Sequence, residues 1–211
     1  MERRTDRHDD TDDRITDDIV SGSPYRKQRA RRWAQFDAPL QTKLAWQSAI
    51  VAALMLSLPL YELFPTGSQA IPLGDASVAS PKVLLLGLLG LGVELVTGTV
   101  LVAVALYRIR AGPVDAETAA TLLDLEDTAA SLGLLSGGFA VLLTLAYFVL
   151  GALGTGAVLD YVALFGANPF VDSGTGLSVV HVAVIALAAS TALWTVRQYL
   201  VFELWKLDRP R

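Results

Sequence analysis

The chain has 211 residues, 53% of them hydrophobic, a formal net charge of −4 and no cysteine. The missing thiols exclude disulfides, thiolate metal sites and thiol catalysis. The apolar excess falls in long blocks rather than at the spaced positions of a water-soluble core. Asp outnumbers Glu fifteen to six and Arg outnumbers Lys thirteen to four, a bias in keeping with a GC-rich, salt-adapted archaeal proteome.

Residues 1 to 24 carry Asp6, Asp9, Asp10, Asp12, Asp13, Asp17 and Asp18 and almost no apolar side chains. Such a segment buries too little surface to offset ordering entropy, so a disordered acidic tail is expected. Residues 25–43 form a basic juxtamembrane segment with Arg26, Lys27, Arg29, Arg31 and Arg32, followed by Trp33 and Phe36. Each cation there contributes about 1 kcal/mol against an anionic leaflet. The cluster either sets topology during insertion or meets lipid or an acidic partner. The adjacent aspartates repel phosphates, so no nucleic-acid partner is expected.

Four apolar stretches, 44–64, 82–107, 132–159 and 177–203, each supply the ~20 residues a helix needs to cross a ~30 Å hydrocarbon core. The expected fold is an all-α integral membrane protein with four transmembrane helices in two antiparallel hairpins, embedded in the lipid bilayer. Sixteen of the seventeen Lys and Arg precede span one, separate spans two and three, or lie from Arg197 onward; only Lys82 remains. The positive-inside rule then places both termini in the cytoplasm of a multi-pass cell-membrane protein. Tyr61, Phe64, Tyr161 and Phe165 fall near the outer ends of the spans, and Trp46, Tyr107, Tyr199, Phe202 and Trp205 near the inner ends, where aromatic rings suit the headgroup layer.

In span one, Ala45, Ala49 and Ala53 form a small-residue ladder suited to close helix contact. The outer loops, 65–81 and 160–176, are too short to fold as domains. Tyr61–Pro65 and Tyr161–Phe165 resemble each other at a spacing near 100, either as a repeated hairpin or by chance among apolar residues. Between spans two and three, Pro113 and Asp115 supply helix-start chemistry, and Leu122, Leu125, Ala129 and Leu132 follow at helical spacing. A cytoplasmic amphipathic helix over 115–131 is expected, with Glu117, Asp124, Glu126 and Asp127 facing solvent or a basic partner.

Glu94 lies ~18 Å along span two, close to the bilayer centre. An acid there costs about 2.5–3.5 kcal/mol on insertion scales, so it faces the bundle and finds partners or a proton. Gly90 and Gly98 flank it at four-residue spacing, and Gly133 and Gly137 form a second small-residue face in span three. Helical rise brings Tyr147, Ser190 and Thr191 to a similar depth as hydrogen-bond partners. Glu94 either carries a proton or cation, or fixes packing. Glu62 and His181, both within ~6 Å of the outer ends by helical rise, form a second candidate pair, as an external pH sensor or as two interfacial polar residues. His181 is the only histidine besides His8, so a two-histidine haem or metal site is not expected.

No catalytic, nucleotide-binding or metal-binding motif stands out, and neither enzymatic activity nor a cofactor is expected. The leading expectation is a non-enzymatic accessory or interaction subunit with a protein partner or a homo-oligomer. The alternative is a small proton- or cation-linked transporter or channel component centred on Glu94.

Overall fold

The structure, a computed structural model, describes residues 38–65, 71, 74–112 and 114–207. The expected acidic tail and the basic residues Arg26, Lys27, Arg29, Arg31 and Arg32 lie outside the described residues. Five helices follow in order: α1 (Leu40–Glu62), α2 (Val83–Ala111), α3 (Ala116–Ala152), α4 (Thr155–Phe165) and α5 (Val179–Leu207). Four of them, α1, α2, α3 and α5, are long and apolar enough to cross a membrane. They alternate in direction as two antiparallel hairpins. The end at which α1 begins and α5 finishes is here termed proximal, and the opposite end distal.

Local chemistry sets the interruptions. Pro59 has no N–H to offer the carbonyl one turn earlier, and α1 tightens to a 3-10 turn over Leu54–Leu56 just before it. α2 has 29 residues, ~44 Å at helical rise, and so outruns a ~30 Å hydrocarbon core. Its last turn carries Arg108 and Arg110, where the helix dipole favours cations. Gly112, at φ +67, then ends it. Asp115 caps α3 by accepting the Thr118 N–H at 2.7 Å, and that bond holds its carboxyl below the usual carboxylate range.

The expected amphipathic segment and third span are one helix of 37 residues, with a π turn at Gly133–Gly137. Its proximal half buries Ala119, Leu122, Leu123, Glu126, Ala129 and Ala130. Leu125 and Leu132, expected on the apolar stripe, are exposed instead. The seam is rotated from the expected one, and Glu126 occupies a core position. α3 stops at Ala152 rather than 159, because Gly154 adopts φ +105 and the chain restarts as the short apolar helix α4. The expected outer loop from 160 therefore begins as helix.

α1 lies along α5, where Ser48 Oγ donates to the Ser190 carbonyl at 3.0 Å and Arg197 Nε to the Gln41 carbonyl at 2.8 Å. The buried seam of α1 is Leu40, Lys43, Leu44, Gln47, Ser48 and Val51. The Ala45, Ala49, Ala53 ladder is not that seam, and Ala49 is exposed. At the distal end the two loops pair through Pro81 and Asp172, the Lys82 N–H donating to the Val171 carbonyl at 2.9 Å and the Ser173 N–H to the Ser80 carbonyl at 2.7 Å. Beneath them Tyr61, Phe64, Phe148 and Phe170 form an aromatic cluster. Tyr61 and Phe64 thus belong to the core rather than the headgroup layer, whereas Trp46, Tyr107, Tyr199 and Phe202 are exposed. Tyr161 pairs with Tyr147 at 2.9 Å from the extra helix α4, whereas Tyr61 lies in the last turn of α1 within the aromatic cluster.

Gly90 sets the approach of α2 to α3: a Cβ there would lie 2.8 Å from the Gly137 carbonyl oxygen and 3.0 Å from Val141 Cγ2. Gly90→Ala is expected to lower stability by about 1–3 kcal/mol through overpacking. Gly92→Ala, whose Cβ meets nothing within 4 Å, is expected to cost nothing. Thermal unfolding of the two variants in lipid nanodiscs checks the contrast.

Candidate functional site: a polar band across the bundle

Buried apolar side chains form two separate clusters. The distal one holds Val51, Leu54, Leu84, Leu91, Val141, Phe148, Phe170 and Val182. The proximal one holds Leu40, Leu44, Leu101, Val104, Leu122, Leu123 and Leu200. Polar side chains from three helices run between and beside them: Lys43, Gln47 and Ser48 on α1, Glu94 and Thr97 on α2, and Glu126 on α3, all buried.

Glu94 stands ~17 Å from the start of α2 by helical rise, and it is 0% exposed. It faces the π turn of α3. A Cβ on Gly137 would lie 3.0 Å from Glu94 Oε1, and one on Gly133 would lie 3.2 Å from Glu94 Oε2 and 2.6 Å from both Gln47 Nε2 and Thr97 Oγ1. Three polar side chains thus converge on the space that Gly133 leaves open. Two of them bond to each other: Gln47 Nε2 donates to Thr97 Oγ1 at 2.8 Å, and the Thr97 hydroxyl donates back to the Val93 carbonyl at 2.8 Å. Neither oxygen of Glu94 has a hydrogen-bond partner among the described residues, and neither has Gln47 Oε1. Orphaned carboxyl oxygens in a bundle interior are costly, and π turns recur where a helix is shaped around a function.

Of the residues expected around Glu94, Gly90, Gly133 and Gly137 line its contact with α3, and Gly98 packs on Leu193 and Gln47. Tyr147, Ser190 and Thr191 are directed elsewhere. Tyr147 bonds to Tyr161, the Ser190 hydroxyl donates to the Leu187 carbonyl at 3.1 Å, and Thr191 is exposed. Depth alone selected them, and direction around the helix axis excludes them. Gln47 and Thr97 stand in their place. Gln47 carries a readable signal, since it falls one turn after Lys43 on one face of span one.

Glu62 and His181 do not meet. Both are exposed, no ion pair joins them, and His181 Nδ1 lies 2.8 Å from Ser178 Oγ at the start of α5. The structure instead pairs charges at the proximal end. Lys43 Nζ lies 2.9 Å from Glu126 Oε1 and 2.7 Å from Asp127 Oδ1, with side-chain exposures of 2%, 1% and 30%. Glu126 and Asp127 thus meet a lysine of α1, where solvent or a basic partner was expected.

Comparison of the chain with protein-family models, curated proteins and solved structures finds no match.

Proposed function

We propose that the chain is a non-enzymatic, multi-pass subunit of a membrane complex that holds an exchangeable proton at Glu94. One observation carries this reading. A wholly buried carboxyl, at mid-depth of a bundle that spans the bilayer, has both oxygens unpartnered. A carboxyl serving only to fix packing is expected to bond across the interface it fixes, as Ser48 does to α5. Intramembrane acids that remain are drawn to proton or ion pathways.

The surrounding atoms favour a proton over a metal cation. The Gln47 amide turns its N–H toward the Thr97 and Gly133 side and its oxygen toward Gly98. A hard cation takes several oxygen ligands, and an amide N–H beside the carboxyl opposes that arrangement. The basic residues at the proximal end orient it toward the cytoplasm of a cell membrane in this proposal.

The test is proton flux driven by a pH gradient across vesicles containing the protein with any chain that co-purifies in mild detergent. Glu94→Gln keeps the shape and removes the ionisable group. Its flux is expected to fall to the level of empty vesicles while its helix content is unchanged. Flux that survives the substitution would contradict the proposal.

A further inference from the structure

The geometry points to one-sided access: Glu94 exchanges its proton with the aqueous phase at the proximal end, through water admitted along Gln47, Lys43, Glu126 and Asp127, and not with the phase at the distal end. This inference rests on the Glu94 reading and adds its direction.

The polar row is continuous on the proximal side. Lys43 precedes Gln47 by one turn on the buried seam of α1, ~6 Å along the axis. On α3, Glu126 precedes Gly133 by two turns, roughly 10 Å. Lys43 ties the two helices together at this level by holding Glu126 and Asp127. Asp127 is the member that reaches water, at 30% exposure, while Lys43 and Glu126 are at 2% and 1%. One cation against two carboxylates gives the cluster a negative balance when all three are ionised, which draws hydronium rather than hydroxide toward the buried site. Gln47 Oε1 and the two Glu94 oxygens are the unpartnered buried acceptors along the row, and polar sites with several open partners are where buried water binds.

Among the described residues the distal side offers no such row. Leu54, Leu84, Leu91, Val141, Phe148 and Phe170 are buried there, below loops that bond to each other. The buried hydroxyls among the described side chains of that half are scattered: Thr144 donates to the Ala140 carbonyl of its own helix, Tyr61, Ser80 and Ser178 bond respectively to the Gly74 carbonyl, Ser173 and His181 beside the loops, and the Ser57 hydroxyl stands alone without a partner. Titratable and charged groups lie at both ends, and those joined to the row are the proximal Lys43, Glu126 and Asp127. α1 presents Lys43 proximally and Tyr61 and Glu62 distally. α2 has no other acid or base between Val83 and Tyr107. α3 presents Glu126 and Asp127, and Tyr147 is turned toward Tyr161. α5 presents Arg197 proximally and His181 at its distal start.

In the exchange, the Glu94 O–H bond breaks and its proton joins an entering water. That hydronium passes a proton to a cluster carboxylate, and bulk water removes it at Asp127. Glu94 is left as carboxylate, and uptake reverses each step.

The test uses full-length protein, uniformly oriented in sealed vesicles, with pH stepped on one side in membrane-impermeant buffer. The probe is the infrared C=O stretch of the protonated Glu94 carboxyl, assigned by its absence in Glu94→Gln. The band is expected to follow proximal pH and to ignore distal pH. Asp127→Asn is expected to slow the proximal response about tenfold or more, the scale of a lost positioned proton carrier. Asp127→Glu, which keeps a carboxylate, is expected to retain the rate and separates lost relay from altered folding. A response to distal pH, or an unchanged rate in Asp127→Asn, overturns the inference but leaves the Glu94 site standing. A band that responds to neither side overturns the site itself.

Discussion

Replacing Lys43 with methionine is expected to destabilise the protein by about 3–5 kcal/mol, the cost of leaving a buried carboxylate without its cation. Lys43 and Glu126 are almost wholly enclosed, at 2% and 1% exposure, and are 2.9 Å apart. Methionine fills most of the lysine stem's volume, so the loss isolates the charge rather than the packing. Asp127, at 30% exposure, can turn to water and contributes less. The double variant Lys43→Met, Glu126→Leu removes both buried charges together. It is expected to recover most of the stability, because an ion pair enclosed in apolar surroundings gains little over well-packed hydrophobic side chains. Thermal unfolding followed by circular dichroism in nanodiscs measures all three proteins. A single variant as stable as the parent would mean that Glu126 does not depend on Lys43 for its charge balance.

Phe148→Ala is expected to cost about 3 kcal/mol or more, the lower part of the range for deleting a buried aromatic side chain. Phe148 is 0% exposed, with ring centroids 5.8 Å from Phe64 and 6.5 Å from Tyr61. Phe64 in turn stands edge-on to Phe170 at 5.1 Å and lies directly over Gly151. Lipid tails are as apolar as the cluster, so the loss is one of close contacts and of the cavity left behind rather than of water exclusion. The effect should spread to the loops, since Phe170 belongs to the segment that pairs with residues 79–83. Faster proteolysis of the distal loops in Phe148→Ala, with the proximal end unaffected, is the second expected readout. Equal stability in parent and variant would show that the cluster is not packed as described.

The four spans were legible because a long run of apolar residues admits few other structures. Asp115 was legible as a helix start, and Glu94 as a mid-span acid among glycines, from residue type and spacing alone. What the sequence did not display was direction around each helix axis. Spans two and three are apolar on nearly every side, so no stripe marks the face that meets a neighbour. Depth alone therefore places Tyr147, Ser190 and Thr191 beside Glu94, whereas the side chains that converge with it on Gly133 are Gln47 and Thr97. Lys43 reads in the sequence as a topology signal at a span boundary, although it is an enclosed partner of Glu126 and Asp127. The break at Gly154 was hidden inside a run that stays apolar to Leu159, because hydropathy carries no record of a positive φ.

The central claim is that the Glu94 carboxyl exchanges a proton inside the bilayer. An infrared pH titration of the protein in lipid, set against Glu94→Gln, tests it most directly. The account predicts a carboxyl C=O band that fades reversibly as pH rises and is missing from the variant. A band of constant intensity across the titration, or the same band in both proteins, would contradict it.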